Sequence, residues 1–173
     1  MTRPYAKRGF AASYTARIRK AEPMSAENDL INLYSQRILA LAADIAHHGR
    51  LDDPQATVRK RAPLCGSMVT VDLDMADGRV ARFAQDVKAC ALGQAAASLM
   101  GADIIGRTRA ELALARDQLR AMLTQDGDPP GAPFQGYEVL TPARAYRNRH
   151  ASILLSLEAT VEAAEAAERA QSA

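Results

Sequence analysis

Apolar residues recur at three- and four-residue intervals between Ser25 and His48: Leu30, Ile31, Tyr34, Ile38, Leu41 and Ile45. That spacing places them on one face of a helix. Ser25 or Asn28 offers an N-cap, and Gly49 a stop. Asp52-Asp53-Pro54 then reads as a loop. The period changes after it. Ala56 to Leu64 suits a strand, with Pro63 confining it to an edge or an end. From Ser67 to Met75 the alternation is regular, with Val69, Val71, Leu73 and Met75 on one side and Thr70, Asp72 and Asp74 on the other. Ala76-Asp77-Gly78 signals a hairpin, and Arg79 to Lys88 is the returning strand. Val80, Phe83 and Val87 fall out of strict phase there, which predicts a bulge.

Helical spacing returns in Ala91 to Ile105, closed by Gly106. Thr108 with Glu111 forms a capping box at the head of a further helix through Leu112, Leu119, Met122 and Leu123. Gly127-Asp128-Pro129-Pro130-Gly131 breaks the chain, and Leu140-Thr141-Pro142 is a second junction. A last helix carries Ile153, Leu154, Leu157 and Val161, and its polar end, Glu162 to Ala173, is expected to fray. Helix, three strands, then helices is an α+β order: a three-stranded antiparallel sheet, one face polar, with helices packed on the other.

Composition adds bounds. At 173 residues the chain is long enough for one domain with a real core. With no Trp and only 5% aromatic residues, that core must be built from Ala, Leu, Val and Ile. No apolar run reaches the roughly 20 residues of a membrane span, and no secretory h-region stands out. Two cysteines without an export signal are expected to remain thiols in a reducing cytoplasm. Net charge is +2, too small by itself to imply nucleic acid. The charge is uneven, however. Arg3, Lys7, Arg8, Arg17, Arg19 and Lys20 precede Met24, with Glu22 the only acid among them. A disordered basic tail, an organelle-targeting segment and an upstream start with Met24 as the true first residue all fit. The excess of Arg over Lys fits GC-rich bacterial coding. The expected organisation is a basic extension over 1–24, a folded domain over 25–165 and a frayed tail over 166–173.

Three residues carry candidate chemistry, each at a junction between elements. Cys65 ends the first strand and precedes Gly66, which allows close approach of a ligand. Cys90 lies where a strand gives way to a helix, and a helix N-terminus favours the thiolate that binds metals. His150 precedes the last helix, with Arg147 and Arg149 beside it. Thiolate and imidazole suit zinc or an iron–sulfur cluster. The spacing is too wide for a finger motif, and a lone Cys is more often a small buried hydrophobe than a ligand. His47-His48, adjacent and near a helix end, read as structural. Nothing supplies a Ser–His–Asp set, and hydrolytic zinc chemistry would have only Asp86 nearby as a base.

Taken with their neighbours, these residues resemble the NifU/IscU-type iron–sulfur cluster assembly scaffolds. The resemblance rests on Ala62-Pro63-Leu64-Cys65-Gly66-Ser67, on Phe83 leading to Cys90 with Ala95-Ala96-Ala97-Ser98-Leu99-Met100 after it, and on Arg149-His150-Ala151-Ser152-Ile153-Leu154. It spans roughly Asp29 to Ala164. It implies a non-enzymatic scaffold that receives sulfur from a cysteine desulfurase, assembles a [2Fe-2S] cluster and hands it to acceptor proteins. It also implies Cys65, Cys90 and His150 as ligands of a cluster or iron, with zinc as an alternative. Ser67 stands where the family has an aspartate, and Ala151 where it has its third cysteine, the usual sulfur acceptor. A fourth ligand would come from Ser67, a partner, a second subunit in a homodimer or a small thiol. Leu140-Thr141-Pro142-Ala143-Arg144 only faintly echoes the family's chaperone-binding run. The competing expectation is a degenerate paralogue, a zinc-binding, interaction or regulatory module that keeps the fold without the chemistry.

Overall fold

The computed structural model describes residues 34–173. The basic extension over 1–24 and the cap candidates Ser25 and Asn28 lie outside the described residues. The described chain runs α1 (Gln36–Ala43), β1 (Ala56–Arg61), β2 (Met68–Ala76), β3 (Arg79–Lys88), α2 (Ala91–Ala102), α3 (Arg109–Thr124), a 3-10 helix (Phe134–Ala145) and α4 (Arg147–Gln171). This is the expected α+β order.

The three strands form one antiparallel sheet in the order β1-β2-β3. Asp77 and Gly78 both take positive φ, 52° and 71°, as a two-residue turn matched to strand twist requires. Asp74 pairs with Arg82 and Met75 with Val80, so Ala81 is the extra residue of the expected bulge. The bulge returns Val80 to the inner face with Phe83 and Val87. Opposite them Val69, Val71, Leu73 and Met75 are all buried. α4 lies across β1 and β2, and α2 fills the space between α1 and α4. Alanines make this close packing achievable: Ala95, Ala96 and Ala97 of α2 and Ala159, Ala163, Ala164 and Ala167 of α4 are buried. The Thr108–Glu111 capping box forms in both directions.

Four features depart from the sequence pattern. α1 ends at Ala43, so His47 and His48 are not helical. Instead their segment docks on the free edge of β3, with Gly49 N donating to Gln85 O and Gln85 N to His47 O, each at 2.9 Å. The outer sheet face is not wholly polar and open, because the stretch Arg50–Gln55 crosses it and buries Asp72. Gly127–Gly131 breaks the chain as expected, but Leu140-Thr141-Pro142 is not a junction, because it lies inside the 3-10 helix. Finally, α4 begins at Arg147, ahead of His150, and continues to Gln171. Its polar end is helical to Gln171, with Ala163, Ala164 and Ala167 buried and Gln171 Nε2 donating to Met75 O at 2.6 Å.

Candidate functional site

Cys65 sits in the short connection between β1 and β2. Ala62 N donates to Ser67 O and Gly66 N to Ala62 O, closing a tight loop, and Gly66 takes φ +70° to complete it. The loop leaves the Cys65 side chain half-buried and the preceding Leu64 exposed. Cys90 is the N-cap of α2, with extended backbone and no capping bond from its side chain. Its sulfur is therefore free to turn toward the β1–β2 connection. The register brings the two cysteines to the same end of the sheet: Met68 pairs with both Arg61 and Lys88.

Two serines join them. Cys65 Sγ donates to Ser67 Oγ at 3.1 Å, and Ser152 Oγ donates to Ser67 Oγ at 3.0 Å. Cys90 Sγ lies 3.4 Å from Ser152 Oγ. Ser67 and Ser152 are 4% and 1% exposed, so the chain of hydroxyls is sealed from bulk water behind the thiols. Gly93, one turn into α2, makes room for it, since a Cβ there would collide with Ser152 Oγ and come within 2.9 Å of Ala89 Cβ. Burial pushes the Cys65 thiol up, but once the thiol ionises the Ser67 hydroxyl and backbone N–H and the Ser152 hydroxyl can donate to the thiolate, and this outweighs burial. The net effect holds the thiol below its ordinary value.

His150 is placed differently. It lies in the first turns of α4 and is 8% exposed. Its Nε2 is 3.0 Å from Ala143 O of the 3-10 helix, and the ring lines a cavity of about 260 Å³ with Thr124, Asp126, Arg144 and Arg147. No three His, Cys, Asp or Glu side chains among the described residues converge as a metal site. The structure thus brings Cys65 and Cys90 together, with Ser67, and holds the imidazole on a carbonyl instead. Ser152 went unremarked in the sequence. Its signal was positional: Ser152, Ser156 and Thr160 repeat at four-residue intervals down the buried face of a helix, an unusual place for hydroxyls.

Comparison with known proteins agrees with this architecture. The family model for the NifU-like N-terminal domain matches residues 33–150, more than half of the chain. A NifU-like protein (N-terminal) from Brucella abortus superposes with a TM-score of 0.79 at 41% identity, over 82% of this chain and 98% of that one. A protein described as an iron–sulfur cluster assembly scaffold for the SUF system, from Fervidobacterium islandicum AW-1, superposes with a TM-score of 0.68. Its identity is 19%, over 76% of this chain and 96% of that one, and it attests the fold alone. A search of curated proteins returned no match. The chain belongs to the NifU-like N-terminal domain family. No helix among the described residues is long and apolar enough to cross a membrane.

Proposed function

We propose that this chain is a non-enzymatic scaffold or carrier in iron–sulfur cluster assembly, with iron or a [2Fe-2S] cluster as its cargo. The observation that supports this most directly is the junction of Cys65 and Cys90, distant in sequence, through Ser67 and Ser152. Two thiolates supply the soft donors such a cargo needs. The serines satisfy the thiols while no metal is bound and add neutral oxygen donors at the same place. His150 joins as a third ligand on this reading, and to do so its ring must come closer to the thiols than its place beside Ala143 O. A cysteine desulfurase would supply sulfur and acceptor proteins would take the cargo, in the cytoplasm.

Anaerobic reconstitution with ferrous iron and sulfide, followed by visible absorption and metal analysis, tests the reading. A charge-transfer chromophore lost in Cys65→Ala and Cys90→Ala is expected, with a weaker effect of His150→Ala. Absence of both chromophore and bound metal in the wild-type chain sinks it. One observation favours the second reading, a degenerate zinc-binding or interaction module: among the described residues no carboxylate or imidazole joins the two thiols. Tight zinc with no uptake of iron and sulfide would select it.

A further inference from the structure

His150 and Ser152 are two residues apart on α4, so they project roughly 200° apart around the helix. Ser152 faces the thiols, whereas His150 lines the cavity of about 260 Å³ with Leu123, Thr124, Asp126, Arg144 and Arg147. The cavity lies where the C-terminus of α3 meets the N-terminus of α4, and it has two poles. The positive pole is α4. Its N-cap, Tyr146, supplies no side-chain bond, no acid stands in its first turn, and Arg147 has no acidic partner among the described residues. The leading N–H groups and the dipole of a helix then act as a partial positive charge. The negative pole is α3. No basic residue stands in its last turn, and among the described residues the Leu123 and Thr124 carbonyls accept no hydrogen bond. Asp126 stands just beyond them, its side chain 90% exposed. Arg144 belongs to the wall: its Nε donates to Met122 O at 2.6 Å and its Nη2 to Gly127 O, and its Nη1 is 3.8 Å from Asp126 Oδ1. His150, more than nine-tenths buried, adds an acceptor. A carbonyl only accepts, so Nε2 is the donor to Ala143 O, and the neutral ring leaves Nδ1 as a lone pair with no partner among the described residues.

We propose that this cavity binds a free α-amino acid with a neutral side chain. Its carboxylate is held by Arg147 and the leading N–H groups of α4, and its ammonium by Asp126, the last carbonyls of α3 and His150 Nδ1. The mixture of donors and acceptors decides the class. A simple anion such as phosphate would meet Asp126, two carbonyls and the Nδ1 lone pair, and a simple cation would meet Arg144 and Arg147. A zwitterion satisfies both poles, and leaves neither set of groups facing a like charge. Size points the same way. Cofactors and drug-sized ligands occupy about 300–1,000 Å³, and a cavity of about 260 Å³ suits something smaller. Buried Leu123 supplies an apolar wall for the side chain. The site stands apart from the thiols, and nothing in it depends on the cargo.

The test is calorimetric titration of the full chain with L-leucine, and separately with 4-methylpentanoate and isoamylamine, which lack its ammonium and its carboxylate. Inorganic phosphate is the fourth titrant. L-Leucine is expected to bind about tenfold or more tightly than any of the other three, the margin that one charged hydrogen-bonding group supplies. Arg147→Gln is expected to weaken leucine by about the same factor. Asp126→Asn is expected to weaken leucine several-fold and to leave 4-methylpentanoate unchanged or tighter, because it removes a charge that attracts an ammonium and repels a carboxylate. Asn tolerates the positive φ of 53° at this position. Both side chains are exposed, and a thermal melt confirms that the variants fold. Absence of leucine binding in the wild type, phosphate or 4-methylpentanoate binding as tightly as leucine, or wild-type leucine affinity in either variant would each overturn the proposal.

Discussion

Ser152 is the residue on which both thiols depend, and Gly93 is what lets it stand there. Replacing Gly93 with Ala drives a methyl group into Ser152 Oγ and Ala89 Cβ. Overpacking of this kind costs about 1–3 kcal/mol, and urea unfolding should show a loss in that range together with a changed reactivity of Cys65. Ser152→Ala isolates the second effect without the strain. The Cys65 thiol then loses one of the hydrogen bonds that hold it below its ordinary value. Thiolate predominates above the thiol pKa, so the pH profile of Cys65 alkylation should move to higher pH in Ser152→Ala. An unmoved profile would show that Ser67 alone sets the thiol. The two cysteines were legible in the sequence because their chemistry is rare and their neighbours distinctive. Ser152 was not, because a serine in a helix is ordinary until its burial is known, and the His150 ring lies against the Ala143 carbonyl of a 3-10 helix that no periodicity announced.

Among the elements, strands and caps were easier to read than helix ends. The alternation of β2, the turn at Asp77-Gly78, the bulge and the Thr108–Glu111 box all follow from rules acting over a few residues, and each is realised. The tail of α4 follows from packing. Its stripe of Ala163, Ala164 and Ala167 is nearly neutral in hydropathy, and only the neighbouring sheet and helices make it a core face. Deleting residues 166–173 should therefore lower the denaturation midpoint measurably, since Ala167 is buried and Gln171 is bonded to Met75 O and Gln55 Oε1. A frayed tail would make the deletion silent. The outer sheet face gives a second prediction. Asp72 is buried, and burial pushes its carboxyl up. Hydrogen bonds from Arg50, Thr57 Oγ1 and Leu51 N more than offset this and hold it below the usual carboxylate range. A carboxyl depressed by folding contributes stability above its unfolded pKa of about 3.9 and loses it as pH falls through the lower folded value. Asp72→Asn should cost roughly 1.5–3 kcal/mol at neutral pH, the range for hydrogen bonds to a charged group. It should also flatten the acid limb of stability below pH about 4, as urea unfolding across pH will show.

At the scale of the whole molecule, the helices bury one face of a small sheet and the chemistry gathers at one end of it. That arrangement was expected from the order of elements. What the order does not convey is how the outer face is closed, because Arg50–Gln55 looks like a plain loop until Asp72 is seen beneath it. The hairpin of β2 and β3 has a further consequence. Cys65 precedes it and Cys90 follows it, so the thiols stand at its open mouth while Asp77-Gly78 forms the opposite tip, with the bulge between them. The tip is thus a natural insertion point. Lengthening a loop costs only slowly in closure entropy, about 0.6 kcal/mol for each doubling. A fluorescent or affinity module spliced between Asp77 and Gly78 should leave iron and sulfide uptake unchanged. The distance from the cargo would then let such a chain report on loading and hand-over without standing in the way of either.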